Sequence, residues 1–296
     1  MRNDVLAGLT LMAGVMAVST GAILVKLCDL NPLSVGAYRL SLALPLFWLA
    51  AERVDPGWRG RIRKDQMGFL ALSGVMLGLH FATWVASLSF TSVTSSVVLV
   101  TTNPIFVGIG SVLLLKEKVS ARLWAGTFIA FAGTVVVAFG SSLPATAAPN
   151  PPLGNALALF GAVCMSGYLL VGRRLSGELP TVCYVTSVYT VAALTLWLGV
   201  LLTSAPTHGF SGKQWILLAM MALIPQGIGH TLLNRSLRVL PASMVAVAIL
   251  GEPVFATLAA IPILNEYPTP THIGGGLLVI LGVGLAVSAG KRRTPE

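Results

Sequence analysis

Residues 94–134 read TSSVVLVTTNPIFVGIGSVLLLKEKVSARLWAGTFIAFAGT, and residues 243–283 read SMVAVAILGEPVFATLAAIPILNEYPTPTHIGGGLLVILGV. The two stretches align without a gap at one constant shift, and this repeat decides the fold. Five pairs of residues coincide under the shift: Pro104 with Pro253, Phe106 with Phe255, Glu117 with Glu266, Gly126 with Gly275, and Gly133 with Gly282. The chain is therefore predicted to contain two copies of one unit, 1–145 and 150–296.

The composition around this repeat is that of a membrane protein. Of the 296 residues, 55% are hydrophobic and 10% are charged, whereas a soluble domain carries about 25% charged residues. A helix that crosses the bilayer needs about 20 apolar residues. The sequence predicts an all-α integral membrane protein with ten transmembrane helices, at 5–27, 33–51, 67–89, 94–115, 122–141, 153–172, 180–203, 214–234, 241–264 and 271–289.

Lysine and arginine are concentrated in one set of alternate connections and at the two termini. Positive charge is retained in the cytoplasm, so both termini are predicted to be cytoplasmic, in the cell (inner) membrane. This distribution also accounts for the net charge of +9 without a nucleic-acid partner.

Each unit holds five spans, and an odd number of spans requires the second unit to enter the membrane inverted. The charges agree, because the basic loop with Lys116, Lys118 and Arg122 matches a loop of the second unit that has no basic residue at those positions. Two inverted five-helix repeats are a construction of secondary transporters, whose site lies near the midplane between the halves.

The runs NPIFVGIGSVLLLKEKVSARLWAGTFIAFAG and GEPVFATLAAIPILNEYPTPTHIGGGLLVILG resemble the two copies of the EamA domain. YRLSLALPLFW, which contains Arg39, is similar to the second-helix pattern of the same carriers, the drug/metabolite transporter superfamily. The sequence also resembles YddG-type amino acid exporters. The resemblance implies export, or in some members uptake, of small metabolites. It also implies a cavity lined by helices one to four of each half, with helix five at the periphery.

A carboxylate lies deep in the ninth span. Glu252 precedes a proline there, and Asn103 is its repeat mate at matching depth in the fourth span. Each proline lacks the N–H that would bond a backbone carbonyl one helical turn earlier, and a carbonyl freed in this way is tolerated only against protein or water. We therefore expect Glu252 to face a cavity or the other half. The alternative is that Glu252 only pairs with Arg39 and locks two helices together.

The third span carries a polar stripe. Ser73, His80, Trp84 and Ser87 fall within about 60° of one another on an ideal helix. A tryptophan and a histidine among serines fit the wall of a substrate cavity. The alternative is that these side chains only pack against a neighbouring helix.

The eighth span, which is the repeat mate of the third, carries a similar stripe. Gln226, His230 and Asn234 are spaced at i, i+4 and i+8, so the two stripes are predicted to face each other across the pseudo-twofold axis. Tyr168 in the sixth span is a further candidate, since with Trp84 it would form a cation–π wall. The predicted substrate-binding residues are His80, Trp84, Ser73, Ser87, Asn103, Tyr168, Gln226, His230 and Glu252.

These features predict a secondary transporter that exports a small amphipathic metabolite, an amino acid, by alternating access around a central cavity. The alternatives are an importer or facilitator of a small organic cation or quaternary amine and, ranked lower, an intramembrane enzyme. HExxH, GxSxG and Walker motifs are absent from the sequence, which disfavours the enzyme and direct use of ATP. The expected partners are the substrate, protons as a candidate coupling ion and the lipid bilayer. The protein is predicted to be a monomer without cofactor or metal, since Cys28, Cys164 and Cys183 have no metal-site spacing.

Overall fold

The computed structural model describes residues 2–87, 89–91, 93–140, 149–264 and 267–289. Its α-helices are α1 (Arg2–Cys28), α2 (Pro32–Val54), α3 (Lys64–Ser87), α4 (Val93–Val100), α5 (Asn103–Leu113), α6 (Ala121–Gly140), α7 (Pro151–Arg174), α8 (Thr181–Thr203), α9 (Gly212–Met221), α10 (Thr231–Ser236), α11 (Ala242–Ile249), α12 (Glu252–Leu264) and α13 (Pro270–Ala289). A short 3₁₀-helix covers Trp58–Arg61, and a π-helix covers Ala222–His230.

Ten helical segments of the described chain are long and apolar enough to cross a membrane, which confirms the ten predicted spans. The fourth span consists of α4 and α5, and the ninth consists of α11 and α12. The eighth span is continuous from α9 through the π-helix to α10. The fold is therefore an all-helical, multi-pass membrane bundle.

The fourth and ninth spans are interrupted at equivalent places, immediately before Asn103 and before Glu252. Each following residue is a proline, which lacks the backbone N–H that a continuous helix would use. Half-helices that begin inside the bundle are a feature of transporter binding sites.

The backbone closes each of these breaks with a tight turn. The Leu99 carbonyl accepts hydrogen bonds from the Thr102 backbone N–H at 3.2 Å and from the Thr102 hydroxyl at 2.6 Å. The Ala248 carbonyl accepts from the Gly251 N–H at 2.9 Å. These bonds belong to the turns. The carbonyls that lose a donor to Pro104 and Pro253 are those of Val100 and Ile249, four residues earlier, and for them a neighbour in a cavity or in the other half remains a prediction.

The last helices of the two halves, α6 and α13, pack closely against each other through glycines. A Cβ added at Gly126 would lie 2.6 Å from the Gly282 carbonyl oxygen, and one added at Gly133 would lie 2.6 Å from the Gly275 carbonyl oxygen. The helices run antiparallel. Gly126 therefore meets Gly282, the repeat mate of Gly133, and Gly133 meets Gly275, the repeat mate of Gly126. This reciprocal pairing is what a twofold axis requires of two equivalent helices, and it agrees with the inverted five-helix repeats. The boundaries 1–145 and 150–296 remain a prediction, and Glu266 lies outside the described residues.

The remaining spans of the two halves interlock in the centre of the bundle. α3 packs against α7 and α8, α1 packs against the eighth span, and α2 packs against α8. Small residues bring α3 and α8 close together, because a Cβ at Gly74 would lie 2.4 Å from the Cβ of Val191. The side chains buried at this junction form the main hydrophobic core and surround the polar residues described below.

The π-helix in the eighth span has no counterpart in the third span, which is regular α-helix throughout. Pro225 lies inside it and removes a backbone donor. π-turns are rare and occur frequently at functional sites. Gln226 and His230 both lie in this stretch, and both are buried.

The charge-based orientation leads to a labelling prediction. His208 and Gly60 are exposed near opposite ends of α2, since the Tyr38 hydroxyl near the start of that helix donates to the Thr207 carbonyl at 2.7 Å. In a background without Cys28, Cys164 and Cys183, we expect a cysteine at 208 to react with an impermeant thiol reagent added to intact cells. A cysteine at 60 should react only after the cells are permeabilised. Labelling of position 60 in intact cells would contradict the cytoplasmic placement of the termini. Thr146, a further predicted outer position, lies outside the described residues.

Candidate functional site

Arg39 is a buried cation in the middle of the bundle, 8% exposed. Its guanidinium carbon lies 4.8 Å from the centre of the Phe81 ring, a cation–π contact. The guanidinium makes no hydrogen bond to any residue that the structure describes, and Nε is buried without a partner. A buried guanidinium in this condition is a strong potential donor to an anionic group.

Glu252 is the first residue of α12 and is partly exposed within the bundle. Among the described residues its carboxylate has no ion-pair or hydrogen-bond partner. Arg39 and Glu252 lie within electrostatic reach of each other, but the direct ion pair that would lock their helices is not formed. The structure therefore holds an acidic and a basic group near each other, both without a bonded partner in the described chain.

A group of phenols, amides and imidazoles surrounds this pair. The Asn234 amide donates to the Tyr168 hydroxyl and, at 2.7 Å, to the His230 carbonyl. Tyr189, fully buried in α8, lies beside Gln226 and Thr231 without meeting hydrogen-bond geometry. Tyr189 is not among the residues predicted from the sequence, because no polar periodicity marks its span.

Several buried polar atoms of this group have no protein partner. Native proteins bond nearly all such atoms, so a cluster of unsatisfied ones indicates a place where water or a ligand completes the bonding. We call this cluster the central polar cluster, and its unsatisfied atoms are Arg39 Nε, Tyr189 Oη, Gln226 Oε1 and Nε2, His230 Nδ1, Thr231 Oγ1 and Asn234 Oδ1.

His80 and Trp84 form one wall beside the cluster. The His80 Nδ1 lies 2.9 Å from the Gly161 carbonyl oxygen. Because a carbonyl only accepts, Nδ1 carries the proton, and in the neutral ring Nε2 is then an acceptor. The His80 and Trp84 rings are stacked nearly parallel, 7° apart with centroids at 6.1 Å, and the Trp84 indole nitrogen has no partner.

The polar stripes of the third and eighth spans approach each other through Phe81. Its ring centre lies 5.3 Å from that of His80 and 5.6 Å from that of His230. The His230 ring in turn lies 6.2 Å from the ring of Tyr168. The structure therefore brings together His80, His230, Tyr168, Gln226 and Arg39 as neighbours of one aromatic and polar centre.

Three of the predicted residues are engaged with neighbouring helices. The Ser73 hydroxyl is bonded to the Tyr184 hydroxyl at 2.7 Å, and the Ser87 hydroxyl to that of Ser96 at 2.6 Å. The Asn103 carbonyl accepts from the Ser166 hydroxyl at 3.1 Å, while the Asn103 amide nitrogen is buried without a partner. The stripe on α3 thus faces α8, α7 and α4 in turn and does not form one continuous wall.

The wall of His80 and Trp84 leads to the second prediction. We expect Trp84→Ala to weaken substrate binding by about 1–3 kcal/mol, because the substrate loses an aromatic face and its buried contact. His80→Ala should change which substrate is preferred more than it changes expression. Ligand-induced thermal shift and uptake, measured on the same purified variants, check both.

The control for this prediction is Trp124→Ala, which removes a tryptophan from α6, where it stacks on Phe128 instead of lining the centre. If the variants of 80 and 84 bind substrate like wild type but melt at lower temperature, both residues are structural.

No group of three or more metal-ligating side chains occurs in the part of the chain that the structure describes. The central polar cluster instead supplies hydrogen-bond donors, acceptors and two opposite charges. Such a set suits reversible binding of a small polar molecule.

Comparison with known proteins identifies the family. The sequence profile of the EamA-like transporter family matches twice, at residues 5–139 and 152–288. The chain belongs to this family. A solved crystal structure of the same fold has a TM-score of 0.83 and 19% identity, covering 98% of this chain and 99% of that chain.

Relatives of this family member span bacteria and animals. The uncharacterized transporter YyaM of Bacillus subtilis is 23% identical over 268 residues, covering 90% of this chain and 87% of that protein. Solute carrier family 35 member G1 of Homo sapiens is 26% identical over 287 residues, covering 91% of this chain and 75% of that protein. A riboflavin transporter of Rhizobium johnstonii is 31% identical over 162 residues, covering 54% of this chain and 44% of that protein. The chain is thus a membrane transporter, and no relative's name points to an enzyme.

Proposed function

We propose that this transporter exports a small zwitterionic, amphipathic metabolite, an amino acid, across the cell membrane by alternating access around the central polar cluster. It works as a monomer with cytoplasmic termini. The observation that carries the proposal is the separation of Arg39 from Glu252. Both are ionisable groups inside the bundle, and neither has a hydrogen-bond or ion-pair partner among the described residues.

A zwitterion complements this arrangement. Its carboxylate would take the donors of Arg39, and charge-assisted bonds of this kind are about twice as strong as neutral ones. Its ammonium would face Glu252, while the apolar side chain would lie against Phe81 and the wall of His80 and Trp84. A ligand with only one charge would leave the opposite protein charge unsatisfied, which is costly in a buried site.

Substrate competition in proteoliposomes tests the proposal. We would load vesicles with radiolabelled leucine and compete its efflux with leucine, with 3-methylbutylamine, which lacks the carboxylate, and with 4-methylpentanoate, which lacks the amine. Choline and riboflavin complete the panel, and a run with an imposed pH gradient tests proton coupling.

We expect leucine or another amino acid to compete, and both single-charge analogues to compete about tenfold or more weakly. Choline or the amine competing as well as any amino acid would favour the organic-cation alternative and overturn the proposal. Selective competition by riboflavin would overturn it as well.

A further inference from the structure

A cavity lies away from the central polar cluster, on the side that carries the basic connections. Its volume is about 530 Å³, and it lies between the end of α5, the end of α7 and the segment after α10. Four basic side chains line it, Lys116, Arg173, Arg174 and Arg238, together with a single acidic one, Glu117. We call it the basic pocket.

One of the four basic charges is already neutralised. Arg173 Nε donates to Glu117 Oε1 at 2.6 Å, and its Nη1 donates to the Leu237 carbonyl at 2.7 Å. This ion pair connects the two repeats and engages the only carboxylate among the described residues that line the pocket. The pocket therefore keeps three uncompensated positive charges.

Those three charges are available to a ligand. Lys116 is exposed and has no ion pair or hydrogen bond within the described chain. Arg174 lies over the Phe69 ring at 4.6 Å, a contact that leaves its charge in place. Arg238 donates only to the Leu179 carbonyl, at 3.3 Å, among the residues described.

The positive-inside rule explains why basic residues occur on this side of the membrane. It does not require residues from three separate segments to converge on one cavity. Convergent lysine and arginine side chains are the chemistry that recognises phosphate groups. Exposed apolar side chains flank the basic pocket, since Leu113, Leu114 and Val239 are 71%, 67% and 64% exposed. A polar pocket beside a lipid-facing surface matches the sites that hold anionic lipid headgroups.

We propose that the basic pocket binds a phosphate group through Lys116, Arg174 and Arg238. The group is carried either by an anionic lipid of the cytoplasmic leaflet or by a soluble phosphate ester. This site is separate from the central polar cluster and does not depend on the identity of the transported substrate.

Binding measurements on the full-length protein in detergent test this. The ligand arms are short-chain phosphatidylglycerol, short-chain phosphatidylcholine as the neutral lipid, and glycerol 3-phosphate, each titrated against thermal stability at fixed ionic strength. The test variant is Lys116→Gln/Arg174→Gln/Arg238→Gln. The matched control is Lys118→Gln/Arg122→Gln/Arg235→Gln, which removes three exposed basic residues from the same set of connections but not from the pocket lining.

We expect saturable stabilisation by phosphatidylglycerol, about 100-fold weaker in the pocket variant and within about threefold of wild type in the control. Stabilisation by glycerol 3-phosphate with the same dependence on the variants would assign the phosphate to a soluble ester. Equal loss in both triple variants, or no saturable response to any phosphate-bearing probe, would overturn the proposal.

Both triple variants must unfold cooperatively without ligand. If only the pocket variant fails to unfold cooperatively, the single variant Lys116→Gln replaces it in the test, because the Lys116 side chain has no bonded partner to lose among the described residues. We expect this single variant to bind phosphatidylglycerol about fivefold more weakly than wild type.

Discussion

We expect Glu252→Gln and Arg39→Met each to reduce amino acid transport at least about 30-fold, because each removes one of the two ionisable groups that the zwitterion is proposed to engage. Truncating one partner of a buried, hydrogen-bonded charge pair costs about 2–5 kcal/mol, and about 1.4 kcal/mol corresponds to a factor of ten. Initial rates of amino acid efflux from proteoliposomes, normalised to reconstituted protein, provide the measurement.

The double variant Arg39→Met/Glu252→Gln separates this role from a purely structural one. A locking pair would be relieved by removing both charges, and transport would return. Since the structure shows no direct ion pair, we expect the double variant to stay as inactive as the single ones while it retains a cooperative melt. Recovery of flux in the double variant would remove both residues from the substrate site.

We expect Gly275→Leu to unfold at a markedly lower temperature than wild type, and Gly274→Leu to leave the melting temperature nearly unchanged. A Cβ at Gly275 would lie 2.8 Å from the Gly133 carbonyl oxygen and from the Val137 backbone nitrogen, so α6 and α13 would have to separate. Overpacking costs about 1–3 kcal/mol when side chains yield. Backbone atoms move less readily than side chains. The free energy of unfolding of Gly275→Leu should therefore fall by an amount at or above the top of that range.

Gly274 is a matched control because it is the adjacent residue of the same helix and is exposed. A Cβ there meets no atom within 4 Å. Leucine has a higher helix propensity than glycine, so the control variant should be neutral or slightly more stable. Thermal unfolding of both variants in the same detergent provides the comparison. Equal melting temperatures would show that the glycine contact between the repeats does not support the fold.

Much of the fold could be predicted because the bilayer imposes it. Hydrocarbon thickness sets the length of each apolar run, and the need to satisfy every backbone group restricts the spans to helices. The glycines that recur in the sequence repeat, which lie on α6 and α13, indicated that the two halves are related by symmetry. The π-helix was not predicted, because Pro225 alone does not distinguish a π-turn from a kink.

The candidate site was predictable only in part. Helical periodicity correctly placed Ser73, His80 and Ser87 on buried positions of one helix. It gives the direction of a side chain, however, and not which neighbour occupies that direction, so the Tyr184 and Ser96 partners of the two serines were missed. Tyr189 became a member of the central polar cluster through tertiary contacts between α8 and the eighth span, and such contacts leave no mark in local sequence.

The π-helix of the eighth span has an energetic consequence for a carrier built from inverted repeats. If the two halves were structurally identical, exchanging their conformations would turn the inward-open form into an outward-open form of equal free energy. The third span has no proline and no wide turn where the eighth span has both. If the protein works by the alternating access proposed above, the exchange is therefore not degenerate, and the empty carrier would have a preferred resting side. That bias would set unequal half-saturation concentrations for the two faces of the membrane, without altering the equilibrium that the substrate gradient dictates.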